Sequence, residues 1–475
     1  MQNTKGKAVI LNYTPDPERI VASAARLSST PGSATGIYHR SPEGNSKLVS
    51  KVVSLGHTSL IEHVYFTIAF ENCTPFFEQF MIEFRLASFT IQSRRYVDFS
   101  KNGYYIPEFR FNQEITDTEK KNIIDIYQRH MMELFNEYLY LIENRIPKED
   151  ARFILPYSFK GNFYCTLNAR ELTHVLYAAL YGRGSHYTEI KEIGESLFEQ
   201  AKTLAPDIFQ NLIHLEDGPD DKEPLLQNLL KEYHIPAEDS NPQLSELLYY
   251  TEDVERKTAI ATLINHTQCS LTAAMETLTH NPGLQEKLLN IVLKDKRKRE
   301  LEQASFTFRI NHISLACLTH FVRHRIQSIN IPSFTQFGKS KNYVCPESIK
   351  QNAELLRRYQ KMWELNLKIY YQFLNLGVLK EDLVYLYLSG NVLDVITTIN
   401  ARELIHFFHL RTCQRAQWEI RNIAIDMLKK VRQVAPAIFN QVGPSCFPTG
   451  KCPEGKFSCG QMAKMKDKFS KGLEI

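Results

Sequence analysis

Two periodicities run through this chain, and each occurs twice in the same order. Short runs at residues 8–11, 66–70 and 306–310 have strand length and β-branched or aromatic content, which predicts strands. Helical spacing takes over elsewhere. Ile123, Ile124, Tyr127, Met131, Leu134 and Leu139 follow Thr116-Asp117-Thr118-Glu119, a capping-box pattern that opens a long helix. A counterpart helix is predicted from about Ala353 to Leu376. Leu315, Leu318, Val322, Ile326 and Ile329 form a third stripe, which predicts a helix with one buried face that also carries Arg323 and Arg325. Aromatic and Met stripes of this kind build cores rather than cofactor boxes.

The doubling reaches individual residues. Tyr13-Thr14-Pro15-Asp16-Pro17-Glu18-Arg19 returns as Tyr250-Thr251-Glu252-Asp253-Val254-Glu255-Arg256. Asn168-Ala169-Arg170-Glu171-Leu172 returns as Asn400-Ala401-Arg402-Glu403-Leu404, and Ala205-Pro206-Asp207-Ile208-Phe209 as Ala435-Pro436-Ala437-Ile438-Phe439. The spacing between partners barely drifts, so the chain is a tandem duplication with few insertions. Residues 216–224 and 236–242 are acidic and rich in turn formers, the composition of a solvated linker, with a short helix between them over about 225–233. The domains therefore read as a first copy over 1–215, a linker over 216–245, and a second copy with a Cys-containing tail over 246–475. The class is α+β.

Composition narrows the setting. Charged residues are 23%, hydrophobic ones 43%, and the net charge of +4 leaves no general polyanion footprint, so no nucleic-acid partner is expected. No apolar run approaches membrane-spanning length and the N-terminus lacks a signal-peptide core, so no membrane partner and a cytoplasmic location are expected. Nine cysteines, mostly scattered singly, fit a reducing compartment. Gly-x-Gly-x-x-Gly, P-loop, His-Glu-x-x-His and Cys-x-x-Cys motifs are absent. Cys446, Cys452 and Cys459 in the tail, with Cys413 or Cys345 as a fourth ligand, leave structural zinc and free thiols open as readings. No metal is expected in the functional site.

Four constellations carry chemistry. Arg323 and Arg325 flank His324, and two permanently charged guanidiniums one residue apart need anions or solvent; a solvated basic helix end is the plain alternative. His57, Ser59, Glu62 and His63 precede a strand, where turn and cap chemistry competes with metal binding that lacks a third ligand. Arg152 stands among apolar residues ahead of Pro156, as a snorkelling helix-end Arg would. Asn168, Arg170 and His174, like Asn400, Arg402 and His406, lie within two helical turns and form either a polar groove lining or an internal Arg–Glu pairing.

These stretches, in this order, resemble the flavin-dependent thymidylate synthases. Their signature is Arg-His-Arg-x-x-Ser-x-Asn-Glu-x-Ser-x-Arg-Tyr. Residues 323–330 match it as far as Asn330 and again at Ser333, with Ile331, Thr335 and Gln336 where Glu, Arg and Tyr are expected. Residues 83–96 match its other end, keeping Ser93, Arg95 and Tyr96 but opening on Glu83 and Phe84 instead of Arg-His. Each copy has kept what the other lost. Residues 57–63 resemble His-x-[Ser/Thr]-Pro-x-Glu-His with Leu60 for Pro, and Arg26 and Ser28 match a further cofactor-side element. Leu410-Arg411 with Ala416-Gln417-Trp418-Glu419-Ile420 resembles Leu-Arg-x-x-x-x-Ala-Gln-Trp-Glu-Ile. Copy one has Ala179 where copy two has Arg411, and copy two has Val384 where copy one has Arg152.

The resemblance implies two tandem copies of the family fold, a mixed sheet packed with long helices. It implies reductive methylation of dUMP to dTMP with FAD as cofactor and methylenetetrahydrofolate and NADPH as co-substrates. Arg411 becomes the catalytic group that polarises the uracil. Gln92, Ser93, Arg95, Tyr96, Arg152 and Arg323 become dUMP ligands. Ser28, His57, Ser59, Glu62, Asn168, Arg170, Arg323, His324, Arg325, Asn400, Arg402 and His406 become FAD ligands. Family sites lie between subunits of a homotetramer, and the split of residues here implies a homodimer that imitates it, with one live site per chain. A silent FAD- or nucleotide-binding relative, or a uracil-nucleotide C5 modifier with another one-carbon product, are the rival readings.

Overall fold

The computed structural model describes residues 5–40, 44–210, 223–235, 243–333, 335 and 342–470. The fold is α+β and built twice. Strands β1 (Lys7–Tyr13), β2 (Tyr65–Cys73), β3 (Ser88–Ile91) and β4 (Gly161–Asn168) form a sheet of order β1-β2-β4-β3. Strands β5 (Ser245–Tyr250), β6 (Ser305–Ser314), β7 (Gln327–Asn330) and β8 (Val392–Asn400) form a second of order β5-β6-β8-β7. Every pairing is antiparallel, where the resemblance implied a mixed sheet.

Packing repeats with the topology. Tyr13 stacks on Phe66 at 6.4 Å between ring centroids and Tyr250 on Phe306 at 6.5 Å, while Phe209 and Phe439 close on the same two phenylalanines edge-on. The Thr74 hydroxyl caps the Pro75–Ile82 helix by accepting the Phe77 N–H, and buried Glu189 holds it by accepting the Thr74 N–H and hydroxyl; Ser314, ahead of Leu315–Phe321, is held by Glu419 in the same way. The central strand slips register near its end in both sheets, with Asn72 (φ 56) and His312 (φ 50) in the left-handed region.

The chain divides into two compact units that do not follow the duplication. One holds Met1–Pro236 with Ser333–Asn391, the other Ala237–Pro332 with Val392–Ile475. In the first unit the long helices Asp117–Glu143 and Ala353–Asn375 pack together, the former opening on the expected capping box of Thr116 and Glu119. His130 meets Asn366 at 2.8 Å, and Glu137 accepts two hydrogen bonds from Arg358, which lies over the Tyr140 ring. Residues 342–391 leave their own copy because of what they find in the other. Tyr157 donates its N–H to the Tyr387 carbonyl at 2.6 Å, and Ser389 donates to the Leu155 carbonyl at 2.9 Å. Tyr157 and Ser389 are 232 positions apart, as are Leu155 and Tyr387, the same spacing as Asn168 and Asn400. The two bonds are therefore reciprocal, and Pro156 bridges its own equivalent Leu388 between them. This is an isologous contact, the kind that relates two subunits about a two-fold, made within one chain.

One further expectation changes. The apolar stripe from Leu315 to Ile329 is not one helix: it ends at Phe321, residues 322–326 turn, and Ile329 belongs to β7. The side chain of Gln327 donates to the Phe321 carbonyl and accepts from Thr397, which fixes the helix end and starts the strand, and Ile326 is 63% exposed. Residues 216–222 and 236–242 of the expected linker, and Gln336, lie outside the described residues; Glu223–Leu230 between the linker stretches is helical. Among the described residues no helix is long and apolar enough to cross a membrane.

Candidate active site

The turn after the Leu315–Phe321 helix sets three side chains in alternation. Arg323 and Arg325 are exposed while His324 between them is 4% exposed. Its ring packs edge-on against Phe407 at 4.9 Å and lies 5.9 Å from the His406 ring. Its two nitrogens are both used. Nδ1 faces Glu403 Oε1 at 3.0 Å, and Nε2 faces Arg411 Nε at 2.9 Å. A guanidinium has only donors, so Nε2 is the acceptor and the ring proton sits on Nδ1, donated to Glu403. Burial holds His324 below its ordinary pKa, Arg411 and His406 push the same way, and Glu403 pulls back. The imidazole is neutral in this arrangement. Arg411 also donates to the His320 carbonyl at 3.2 Å, so both ends of its guanidinium are oriented.

The Ala401–Arg411 helix supplies this row from a single cap. Asn400 accepts the Glu403 N–H at 2.9 Å, which starts the helix and puts Glu403 in its first turn and Arg411 at its end. Arg402 pairs with Glu302, and exposed His406 contributes to a group with His324 and Glu403 whose ligand-type atoms lie within 4.8 Å of one another. Three such groups are a metal-like set, but the Arg411 guanidinium on His324 puts a positive charge where a cation would stand. Glu403 is the residue that sequence reasoning passed over. It stood in view inside the doubled Asn-Ala-Arg-Glu-Leu, and only the fold shows that it reaches His324.

Copy one builds the same frame with different contents. Asn168 caps the Ala169–Leu180 helix through the Glu171 N–H at 2.8 Å, and Arg170 pairs with Glu62 at 2.5 Å. With Phe84 in place of histidine, Glu171 turns to the Leu86 N–H and to His174. Glu83 pairs with Arg183, whose guanidinium lies over the Phe80 and Phe84 rings.

The other predicted ligands cluster elsewhere in copy one. Arg94 forms a buried ion pair with Glu78 at 2.6 Å, which anchors the loop carrying its neighbours. Arg95 pairs with Glu149 and lies 5.6 Å from the exposed Tyr96 ring; Ser93 accepts the Arg95 N–H. Arg152 is 2% exposed, so it does not snorkel, and it donates to the Glu149 carbonyl oxygen. Burial raises the Glu149 carboxyl above its ordinary range, with Arg95 and Arg152 opposing. Arg95 thus pairs with the Glu149 carboxylate while Arg152 acts on it electrostatically, two positive charges around one negative. Gln92 is bound to Asn162 at the start of β4. Of the residues expected on the cofactor side, Arg26 donates to Asn45 at 2.7 Å, Ser28 hydrogen-bonds its own helix, and His57 and Ser59 are exposed where the Thr58–His63 turn begins.

The thymidylate synthase complementing protein family matches residues 9–207 and again 246–437. The chain belongs to this family, in two copies. A flavin-dependent thymidylate synthase from Geobacter sulfurreducens is 36% identical over 226 residues, 47% of this chain and 96% of the relative. The Pyrococcus furiosus enzyme of the same name is 34% identical over 238 residues, 48% of this chain and 97% of the relative. Each relative has the length of one copy. Among solved structures the chain is similar to thymidylate synthase X from Helicobacter pylori with FAD and dUMP (18% identity, TM-score 0.34, 44% of this chain, 99% of that one). It is also similar to a UMP/dUMP methylase from Streptomyces cacaoi bound with 5-Br dUMP (21% identity, TM-score 0.38, 44% and 96%).

Proposed function

We propose that the chain is a flavin-dependent thymidylate synthase that converts dUMP to dTMP, with FAD as cofactor and methylenetetrahydrofolate and NADPH as co-substrates. Family membership supports the activity, and the row Glu403–His324–Arg411 supports an intact catalytic end in copy two. Arg411 offers a guanidinium oriented at both ends, suited to stabilising negative charge that develops on a uracil carbonyl. Neutral His324 holds it there, since a protonated ring would present a donor to a donor. Glu403 fixes the tautomer that lets His324 accept. Arg95 and Arg152 suit the nucleotide phosphate, which would share their charge-assisted hydrogen bonds with Glu149.

Exposed Arg323 and Arg325 suit the anionic portion of FAD, with Arg26, Arg170 and Arg402 as further cationic contacts. FAD, when bound, supplies the reducing equivalents that originate in NADPH. Complementary losses in the two copies support one dUMP and one FAD per chain. The isologous contact inside the first unit stands where two separate subunits would otherwise meet, which supports a homodimer of chains in place of a homotetramer. Nine cysteines, mostly scattered singly along the sequence, support a reducing, cytoplasmic setting.

The test is direct. Purified protein should be yellow and form dTMP from dUMP, methylenetetrahydrofolate and NADPH, with a solution mass near twice 55.1 kDa. FAD-loaded protein that forms no dTMP would sink the activity, and a product of different mass would reassign the one-carbon chemistry.

A further inference from the structure

The tail beyond the family match holds a second chemistry. The matched region ends at residue 437, and Cys446, Cys452 and Cys459 all follow it. A fourth cysteine, Cys413, sits two residues past the Ala401–Arg411 helix, where copy one has Tyr181. Backbone and side-chain contacts draw the tail back to that helix end. His409 Nδ1 lies 2.7 Å from the Gly443 carbonyl oxygen, and the Ser445 N–H donates to the His409 carbonyl, which seats the chain just ahead of Cys446. Past Cys459, Gln414 beside Cys413 reaches the Met465 sulfur at 3.6 Å, and Arg432 donates to the Phe469 carbonyl at 3.0 Å. Between the cysteines, Gly450 (φ 62) and Gly455 (φ 52) turn the chain back on itself in the left-handed region.

The result is convergence of all four thiols. Cys446 lies within electrostatic reach of Cys413, Cys452 and Cys459, and Cys413 within reach of Cys452 and Cys459. None of them is in a disulfide. We propose that Cys413, Cys446, Cys452 and Cys459 form a four-thiolate site for a thiophilic metal centre. An all-sulfur donor set selects zinc or an iron–sulfur cluster over harder cations. Four thiolates around a single zinc, at about 2.3 Å each, stand roughly 3.8 Å apart. Among the described residues the group with its ligand atoms within 4.8 Å of one another is His324, Glu403 and His406, not these cysteines. No three of these thiols stand at single-zinc spacing, so zinc would have to draw them in, whereas a cluster of several irons spans a wider gap between its ligands. Bound metal would fasten the tail to the end of the helix that carries Arg411.

Metal analysis of the full-length flavoprotein, purified without oxygen, tests this. The expected result is about four irons with acid-labile sulfide, or about one zinc, per chain. The Cys452→Ser/Cys459→Ser double variant should keep less than about a tenth of that metal, and Cys269→Ser all of it. Thiol titration of the unmodified protein gives a reading independent of any variant, because stripping the metal with a chelator should expose additional reactive thiols. Full-length protein with less than about a tenth of a metal per chain, or a double variant that keeps the metal, would overturn the site.

Discussion

One place in the fold exists twice, filled by Glu403, His324 and Arg411 in copy two and by Glu171, Phe84 and Ala179 in copy one. The frame around it is the same: an asparagine caps a helix, the glutamate sits in its first turn, and an Arg two residues past the cap pairs with a carboxylate across a turn. The contents differ in charge. Copy two aligns a carboxylate, a neutral imidazole and a guanidinium in series. Copy one has an apolar ring at the centre and an ion pair, Glu83 with Arg183, laid over aromatic faces. What survived in both copies is what the fold needs, namely the cap and the first-turn carboxylate. What survived in one is what the proposed chemistry needs.

The comparison breaks most easily at Arg411. Arg411→Ala should lower dTMP turnover by about 10²–10³, the usual cost of one oriented transition-state donor, while FAD content and melting temperature hold. Arg183→Ala, in the other copy, should change turnover less than about twofold. Comparable losses from both would mean that the two places work together and that the division drawn between them is wrong.

Next in size are the groups that position Arg411. His324→Phe installs the copy-one residue and should cost about 10–100-fold in kcat, and Glu403→Leu about as much. Glu403→Gln still accepts from Nδ1, so it should recover most of that loss. Acid pH gives a sharper reading. His324 is held below its ordinary value of about 6.5 by burial, with Arg411 and His406 adding and Glu403 opposing. Because the folded value lies below the unfolded one, the stability and activity tied to neutral His324 are present above the unfolded value and vanish as pH falls through the folded one. Glu403→Gln removes the opposing charge, so the acid limb of kcat should move to lower pH. An unmoved limb would detach Glu403 and His324 from the rate.

Much of this was legible in the sequence, and the parts that were not share a cause. Strands at 66–70 and 306–310, the capping box at Thr116 and the helix from Ala353 are local signals, and the structure keeps them. Arg323 was misplaced on a helix because Leu315, Val322 and Ile326 satisfy helical spacing whether or not the backbone follows. The helix ends through long-range contacts, Gln327 with Thr397 and β7 with β8, that no window of sequence contains. Residues 342–391 belong by sequence to copy two, and their packing with copy one is equally invisible to a window of sequence. Their exchange depends on Tyr157 meeting Tyr387, partners more than 200 positions apart. Arg411 could be picked out by its surrounding motif, whereas Glu403 looked the same in both copies and acquired a distinct role only beside His324.

The smallest expected effect tests whether copy one's place is purely structural. The Glu83 and Arg183 side chains are 20% and 40% exposed, so solvent screens their pairing and removing it should cost about 1 kcal/mol or less. Arg183→Ala forfeits the ion pair and the contact over Phe80 and Phe84, and should lower the melting temperature by a few degrees at most. Glu83→Arg asks more. It restores the first residue of the signature in copy one but sets two guanidiniums against each other, so it should destabilise somewhat more than Arg183→Ala. It should create no second site, because Phe84 cannot accept a hydrogen bond and Ala179 has no guanidinium to donate one. Calorimetric titration of Glu83→Arg should still give about one dUMP per chain, with turnover unchanged. A second dUMP equivalent would show that charge alone had closed copy one, and that the aromatic and alanine replacements were incidental.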